Sequence, residues 1–122
     1  RQIIKKGGKL MMKHEAIYAL YSNVYRIVDS DTGPIAYDSN GNVVSWDDSS
    51  VSTKESELIV SDNLEQLRTE RNNRLAETDW LIVMHKEKGT NIPTAWKTYR
   101  QELRDITNDY TSLDDVVWPE KP

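Results

Sequence analysis

Two stretches of helical periodicity constrain this chain more than anything else in it. Leu64, Leu67, Arg71, Leu75 and Thr78 recur at i, i+3, i+7, i+11 and i+14, and Trp96, Tyr99, Leu103, Ile106 and Tyr110 follow i, i+3, i+7, i+10 and i+14. Each set lines one face of a helix and needs an apolar surface to lie against. Between them lies the apolar run Trp80 to Met84, and then Lys86-Glu87-Lys88-Gly89. Leu81-Ile82-Val83 is prone to form a strand, but the charged, Gly-terminated end favours a short helix from about Trp80 to Lys88, with Gly89 at the left-handed C′ position. Trp80, Val83, Met84 and Glu87 would share its face. Thr90 is expected to cap the last helix, with Pro93 in its first turn.

Upstream of Leu64 the signals are weaker. Asp62, followed by Glu65 three residues on, resembles a capping box and predicts a fresh helix start there. Asp47 to Ser50 can cap an earlier helix from about Val51. Residues 14–48 read as an antiparallel β meander, with extended segments at His14 to Tyr21, Val24 to Val28, Ile35 to Tyr37 and Val43 to Trp46. Asn40-Gly41 predicts a type I′ hairpin turn, because that pair tolerates positive φ. Arg1 to Lys13 read as a poorly ordered leader, with the native start at Met11 or Met12. The expected fold class is α+β: a small N-terminal meander (14–48), a helical region (49–110) holding two longer helices with a short one between them, and a tail (111–122) packing back through Trp118.

Composition excludes several function classes. There is no Cys, so neither disulfides nor thiolate metal sites are available, and His14 and His85 stand far apart without ligand-like neighbours. The net charge is -4, with both signs spread along the chain. The local basic cluster Lys5, Lys6, Lys9 and Lys13 is too small to argue for nucleic acid. No window approaches the roughly 20 apolar residues of a membrane span. Asp29, Asp31, Asp38, Asn40 and Asn42 do not reproduce a calcium-loop run, and read as turn chemistry. No nucleophile sits beside a base, and the adjacent pairs Asp47-Asp48 and Asp114-Asp115 look like caps or solvated turns. The chain therefore reads as non-enzymatic, with no catalytic residues, no cofactor and no metal.

What remains is a set of aromatics and arginines. Arg71, in the middle of an apolar stripe, needs a carboxylate partner if half-buried, and Asp79 and Asp105 are the candidates. Trp80, Trp96, Tyr99 and Trp118 serve either as core or as a binding surface. Arg71, Arg74, Arg100 and Arg104 have acidic neighbours that favour internal pairs over a clamped ligand. The candidate partner-binding or fold-defining residues are thus Arg71, Asp79, Trp80, Trp96, Tyr99, Arg100 and Trp118.

These residues also carry a resemblance. Arg71-Asn72-x-x-Leu75-Ala76-x-Thr78-Asp79-Trp80, then Trp96-x-x-Tyr99-Arg100-Gln101-x-Leu103-Arg104-Asp105, then Val117-Trp118-Pro119-x-x-Pro122 resemble, over residues 62–122, the phage tail assembly chaperone family of tailed bacteriophages. The front segment, with Ala19-Leu20-Tyr21 and its Asp-Ser-Asn-Gly-Asn turn, is similar to cyanophage versions. The resemblance implies a protein that binds another phage tail or tail-fibre protein in the host cytoplasm during assembly. The alternative it leaves is a minor structural protein of the virion tail. The thin meander also invites self-association, so a homo-oligomer is kept open.

Overall fold

The computed structural model describes the backbone at residues 4–6 and from Lys9 onward, and side chains from Met12 onward. The chain divides into two compact units, Arg1–Ile59 and Val60–Pro122. Together they make the chain α+β, with the described strands in the first unit and helices alone in the second. No described helix is long and apolar enough to cross a membrane.

The first unit opens with strands β1 (Ile4–Lys6) and β2 (Lys9–Met11), paired antiparallel. The leader expected at 1–13 thus falls partly outside the described residues, and its described backbone pairs into this short hairpin. Helix α1 (Lys13–Leu20) follows, where a strand was expected. The reason is local. Ala16 and Ile17 are adjacent and both buried, which one side of a helix allows and one face of a strand does not. Lys13, Glu15, Ala16, Ala19 and Leu20 are all good helix formers or neutral ones. The Met12 carbonyl accepts from Ala16 N–H at 2.9 Å and so opens the helix. Ala16 and Ile17 are fully buried.

Strands β3 (Arg26–Ser30), β4 (Gly33–Tyr37) and β5 (Val43–Val44) form an antiparallel sheet in that order. Ile27 pairs with Ala36, and Ala36 with Val44. The core of the unit joins Ala16, Ile17, Val24, Ala36 and Val51, flanked by Tyr18, Tyr21, Ile27, Val44, Trp46 and Leu58. A three-stranded sheet of this size is not stable without such a cover. The β4–β5 turn differs from the type I′ expectation. Only Gly41 has positive φ, at 84°, and Asn40 does not. Gly41 N–H donates to the Asp38 carbonyl, and Asp38 N–H to that of Asn42, giving the three-residue loop with glycine in the left-handed position. The Asp38 carboxylate accepts from the N–H groups of Asn40 and Asn42, both at 2.9 Å. Those bonds, Asn42 foremost, hold its pKa below the ordinary carboxylate value.

Helix α2 (Asp48–Ala76) is a single helix of 29 residues, not two. Asp62 does not restart it. Its carboxylate accepts instead from Gln66 Nε2 at 2.7 Å, one turn on. No Gly or Pro lies in the span, so nothing stops the helix there. The cap at its start is Asp47. Its Oδ2 accepts from Ser50 Oγ at 2.6 Å and Ser50 N–H at 2.9 Å, and its own N–H donates to Tyr21 Oη at 2.9 Å. The two Ser50 bonds, side chain first, lower the Asp47 pKa. The sign follows: a group whose pKa is depressed on folding stabilises above its ordinary value, and that contribution is lost as pH falls through the folded value. Asp47→Ala should lower the melting temperature by a few degrees at pH 7, with a smaller penalty at pH 3, as read by circular dichroism melts at the two pH values.

The second unit comprises the rest of α2, α3 (Asp79–Lys88), α4 (Thr94–Arg104), α5 (Ile106–Asp109) and the tail. Its buried apolar residues are Leu67, Leu81, Tyr99, Leu103 and Ile106. Gly89 takes the left-handed conformation, φ 67°, at the end of α3. Thr90 does not cap α4. Its N–H bonds back to the His85 carbonyl at 3.0 Å, closing α3. Pro93 occupies the position before α4, since proline disfavours helical geometry in the residue preceding it. The last helix also breaks at Asp105, leaving α5 as a separate turn.

Candidate partner-binding site

Every sequence-predicted site residue falls in the second unit, and the structure sorts them into two roles. The first role is holding the helices together. Helix ends leave carbonyl groups without partners, and these carry the negative pole of the helix dipole. Arg100, on α4, answers the end of α2. Its Nη1 donates to the Leu75 carbonyl at 2.8 Å and to Thr78 Oγ1 at 2.7 Å, and its Nη2 donates to Asp79 Oδ1 at 2.8 Å. The Arg100 side chain is only 11 % exposed, whereas Asp79 is 62 % exposed. The guanidinium thus lies buried in the corner where α2 stops and α3 begins. Thr78, buried at that corner, also donates to the Leu75 carbonyl, at 3.2 Å.

Arg71 does the converse. It lies on α2 and its Nη1 donates to the Arg104 carbonyl at the end of α4, at 3.2 Å. Its Nε donates to Asn72 Oδ1 at 2.8 Å. The expected carboxylate partner is therefore replaced by a helix-end carbonyl. Asp79 pairs with Arg100, and Asp105 accepts both bonds from Gln101 Nε2 at 3.1 Å. The exchange is physically sound, because a half-exposed arginine needs acceptors rather than a neutralising charge.

The tail is anchored along the same helix. The Arg74 guanidinium lies 4.2 Å from the centre of the Trp118 ring, a cation–π distance, while its Nε donates to Glu70 Oε1 at 3.1 Å. Lys121 lies 3.7 Å from Glu77. On α4, Trp96 meets Tyr99 edge to face, with centroids 6.1 Å apart and planes at 83°. Tyr99 is the buried member of the pair and Trp96 is half-buried. Trp96→Ala should therefore cost about 1–3 kcal/mol in urea denaturation, less than a full core truncation of about 3–5 kcal/mol.

The second role falls to Trp80. Of the four residues expected to share a face on α3, Trp80, Val83 and Glu87 are exposed and Met84 is half-buried. Leu81 points inward at 6 % exposure, while Trp80 is 61 % and Val83 56 % exposed. One residue along a helix is a rotation of 100°, so burying Leu81 rather than Trp80 moves Trp80 and Val83 together to the solvent side. They sit one turn apart on a helix whose N-terminal corner is pinned by Arg100. Asp79, Thr78 and Arg100 thus position an exposed aromatic and aliphatic pair. The apolar run from Trp80 to Met84 signalled burial, and only packing could reveal which of its members stays outside.

Among the described residues no cluster of His, Asp or Glu is arranged to hold a metal. His85 Nδ1 lies 2.7 Å from Thr90 Oγ1, and His14 Nε2 lies 2.7 Å from Asp29 Oδ1. Both contacts join a helix to the segment that follows it and so serve the fold.

Residues 64–122, which carry this whole arrangement, match the family model described as phage tail assembly chaperone protein. No curated protein and no solved structure matches the chain. The match takes in the Arg100 corner, the exposed α3 face and the anchored tail. The match over residues 64–122, just under half of the chain, supports a role in the assembly of bacteriophage tails.

Proposed function

We propose that the protein is a non-enzymatic assembly chaperone that binds another phage tail or tail-fibre protein through the exposed face of α3. The observation that carries this reading is Trp80, 61 % exposed beside Val83 on a helix fixed at its corner by Arg100. Tryptophan is enriched at the energetic centres of interfaces, and a rigidly held one loses little entropy on binding. The site of action is the host cytoplasm while tails are being built. Co-expression with each tail and fibre protein of the same phage, followed by pull-down, tests the reading. Retention of one of them is the expected result, and binding to none of them sinks the chaperone role.

One observation favours a second reading. Strand β3 is an outer strand of its sheet, with Val28 on it and Tyr25 just before it both exposed. Such an edge can pair with a strand of another protein and stay there. On that reading the protein is a minor component of the finished tail. Mass spectrometry of purified virions separates the two: a stoichiometric copy number favours the structural role, and absence favours the chaperone.

A further inference from the structure

The second unit contains a small cleft that neither role above uses. It is lined by Ile82, Ile92, Lys97, Arg100, Gln101 and Arg104 and has a volume of about 280 Å³. Lys97, Arg100, Gln101 and Arg104 stand at i, i+3, i+4 and i+7 of α4, so one helix face supplies every polar group. Residues 60–122 hold nine Lys or Arg against twelve Asp or Glu, yet no carboxylate lines this cleft. The cations there are only partly used. Arg104 Nη1 donates to Gln101 Oε1 at 3.1 Å, and among the described residues neither Arg104 nor Lys97 forms an ion pair. Arg100 is committed through both Nη atoms, but its buried Nε–H has no acceptor. That Nε–H is closed off from solvent, so Arg100 brings positive charge rather than a free donor to the cleft.

From this we infer that the cleft is a carboxylate-binding site for an acidic segment of a partner protein. One carboxylate would sit among Lys97, Arg100 and Arg104, and its aliphatic stem or an adjacent apolar residue would lie on Ile82 and Ile92. The volume admits a side chain or two, not a drug-sized ligand. A nucleic acid is the poorer occupant, because a phosphate chain needs an extended basic surface and the rest of this unit is net acidic. The inference deepens the proposed binding role by giving the partner's chemistry at a second contact, which meets α3 at Ile82, two residues from Trp80.

The test uses the full chain and three N-acetylated hexapeptides, followed by amide chemical shifts. One has two central glutamates between leucines and an amidated end. The second replaces both glutamates with glutamine. The third is the glutamine peptide with a free terminal carboxylate. The glutamate peptide is expected to shift the amides of Lys97, Gln101 and Arg104, and the amidated glutamine peptide is not. The third peptide shows whether a terminal carboxylate substitutes for a side-chain one, and binding by either form supports the site. Lys97→Gln and Arg104→Gln lie on the exposed side of α4 and should each weaken binding about tenfold without changing the fold. No shift with any carboxylate peptide, equal binding of the glutamate and amidated glutamine peptides, or binding of a short single-stranded oligonucleotide in place of peptide would overturn the inference. Because the readout needs no tail protein, it can fail while the pull-down succeeds, and the reverse.

Discussion

Arg100→Ala is expected to destabilise the second unit by about 2–4 kcal/mol, the largest loss of stability from any polar substitution in the chain. The magnitude follows from what the guanidinium touches. Two of its hydrogen bonds, to the Leu75 carbonyl and Thr78 Oγ1, lie in the closed corner between α2 and α3. Each is charge-assisted and shielded, and Thr78 is 2 % exposed, so water cannot readily take the place of the lost donor. The third bond, to Asp79, contributes little, because that carboxylate is 62 % exposed and solvent screens the pair. Arg100→Lys should recover only part of the loss. A single ammonium cannot reach the Leu75 carbonyl, Thr78 and Asp79 with the geometry of a planar fork. Asp79→Ala is the control, expected to cost no more than about 1 kcal/mol. Urea unfolding followed by tryptophan fluorescence measures all three. A stability for Arg100→Ala within about 0.5 kcal/mol of the parent protein would show that the corner is held by packing alone.

Trp80→Ala is expected to do the opposite: leave stability nearly unchanged and reduce affinity for the tail partner by about 30-fold or more, the loss typical of an interface hot spot. Trp80 makes no hydrogen bond or ring contact among the described residues, and 61 % of its surface is exposed. Truncating it removes little buried area. Its value lies in the area it can bury against a partner. Val83→Ala should give a smaller loss in the same direction. The measurement pairs a thermal melt with a titration against the partner recovered by pull-down. A destabilised Trp80→Ala protein that binds with unchanged affinity would move the contact elsewhere, with the β3 edge as the next place to look.

The two predictions also mark what was legible beforehand. The stripe Trp96, Tyr99, Leu103, Ile106 named three residues that the structure buries, because a helix of strong amphipathicity has only one way to face a core. Gly89 was legible because a left-handed helix end favours glycine. The partner of Arg71 was not legible. A carboxylate can be proposed from sequence, but a helix-end carbonyl such as that of Arg104 is present in every chain and becomes an acceptor only where a helix happens to end. The unbroken α2 was missed for a related reason: Asp62 can cap a helix or pair with Gln66 inside one, and local sequence does not choose between the two. The helix at Lys13–Leu20 is hard to read from sequence because Ile17 and Tyr18 favour a strand as readily. The cleft at Lys97 and Arg104 was hidden because Ile82 and Ile92 come from other segments.

The sequence by itself determined the α+β class, the helical character of the second half and the family-model match of residues 64–122, since periodicity, glycine placement and motif spacing are properties of the chain alone. Tertiary structure alone decided which face of α3 remains outside. Leu81 and Trp80 are adjacent and both apolar, and their difference is a rotation of the helix about its axis. Burial of Leu81 sets that rotation, and Arg100 reaches from α4 to the Leu75 carbonyl, Thr78 and Asp79 at the corner where α3 begins, contacts 21 to 25 residues away in sequence.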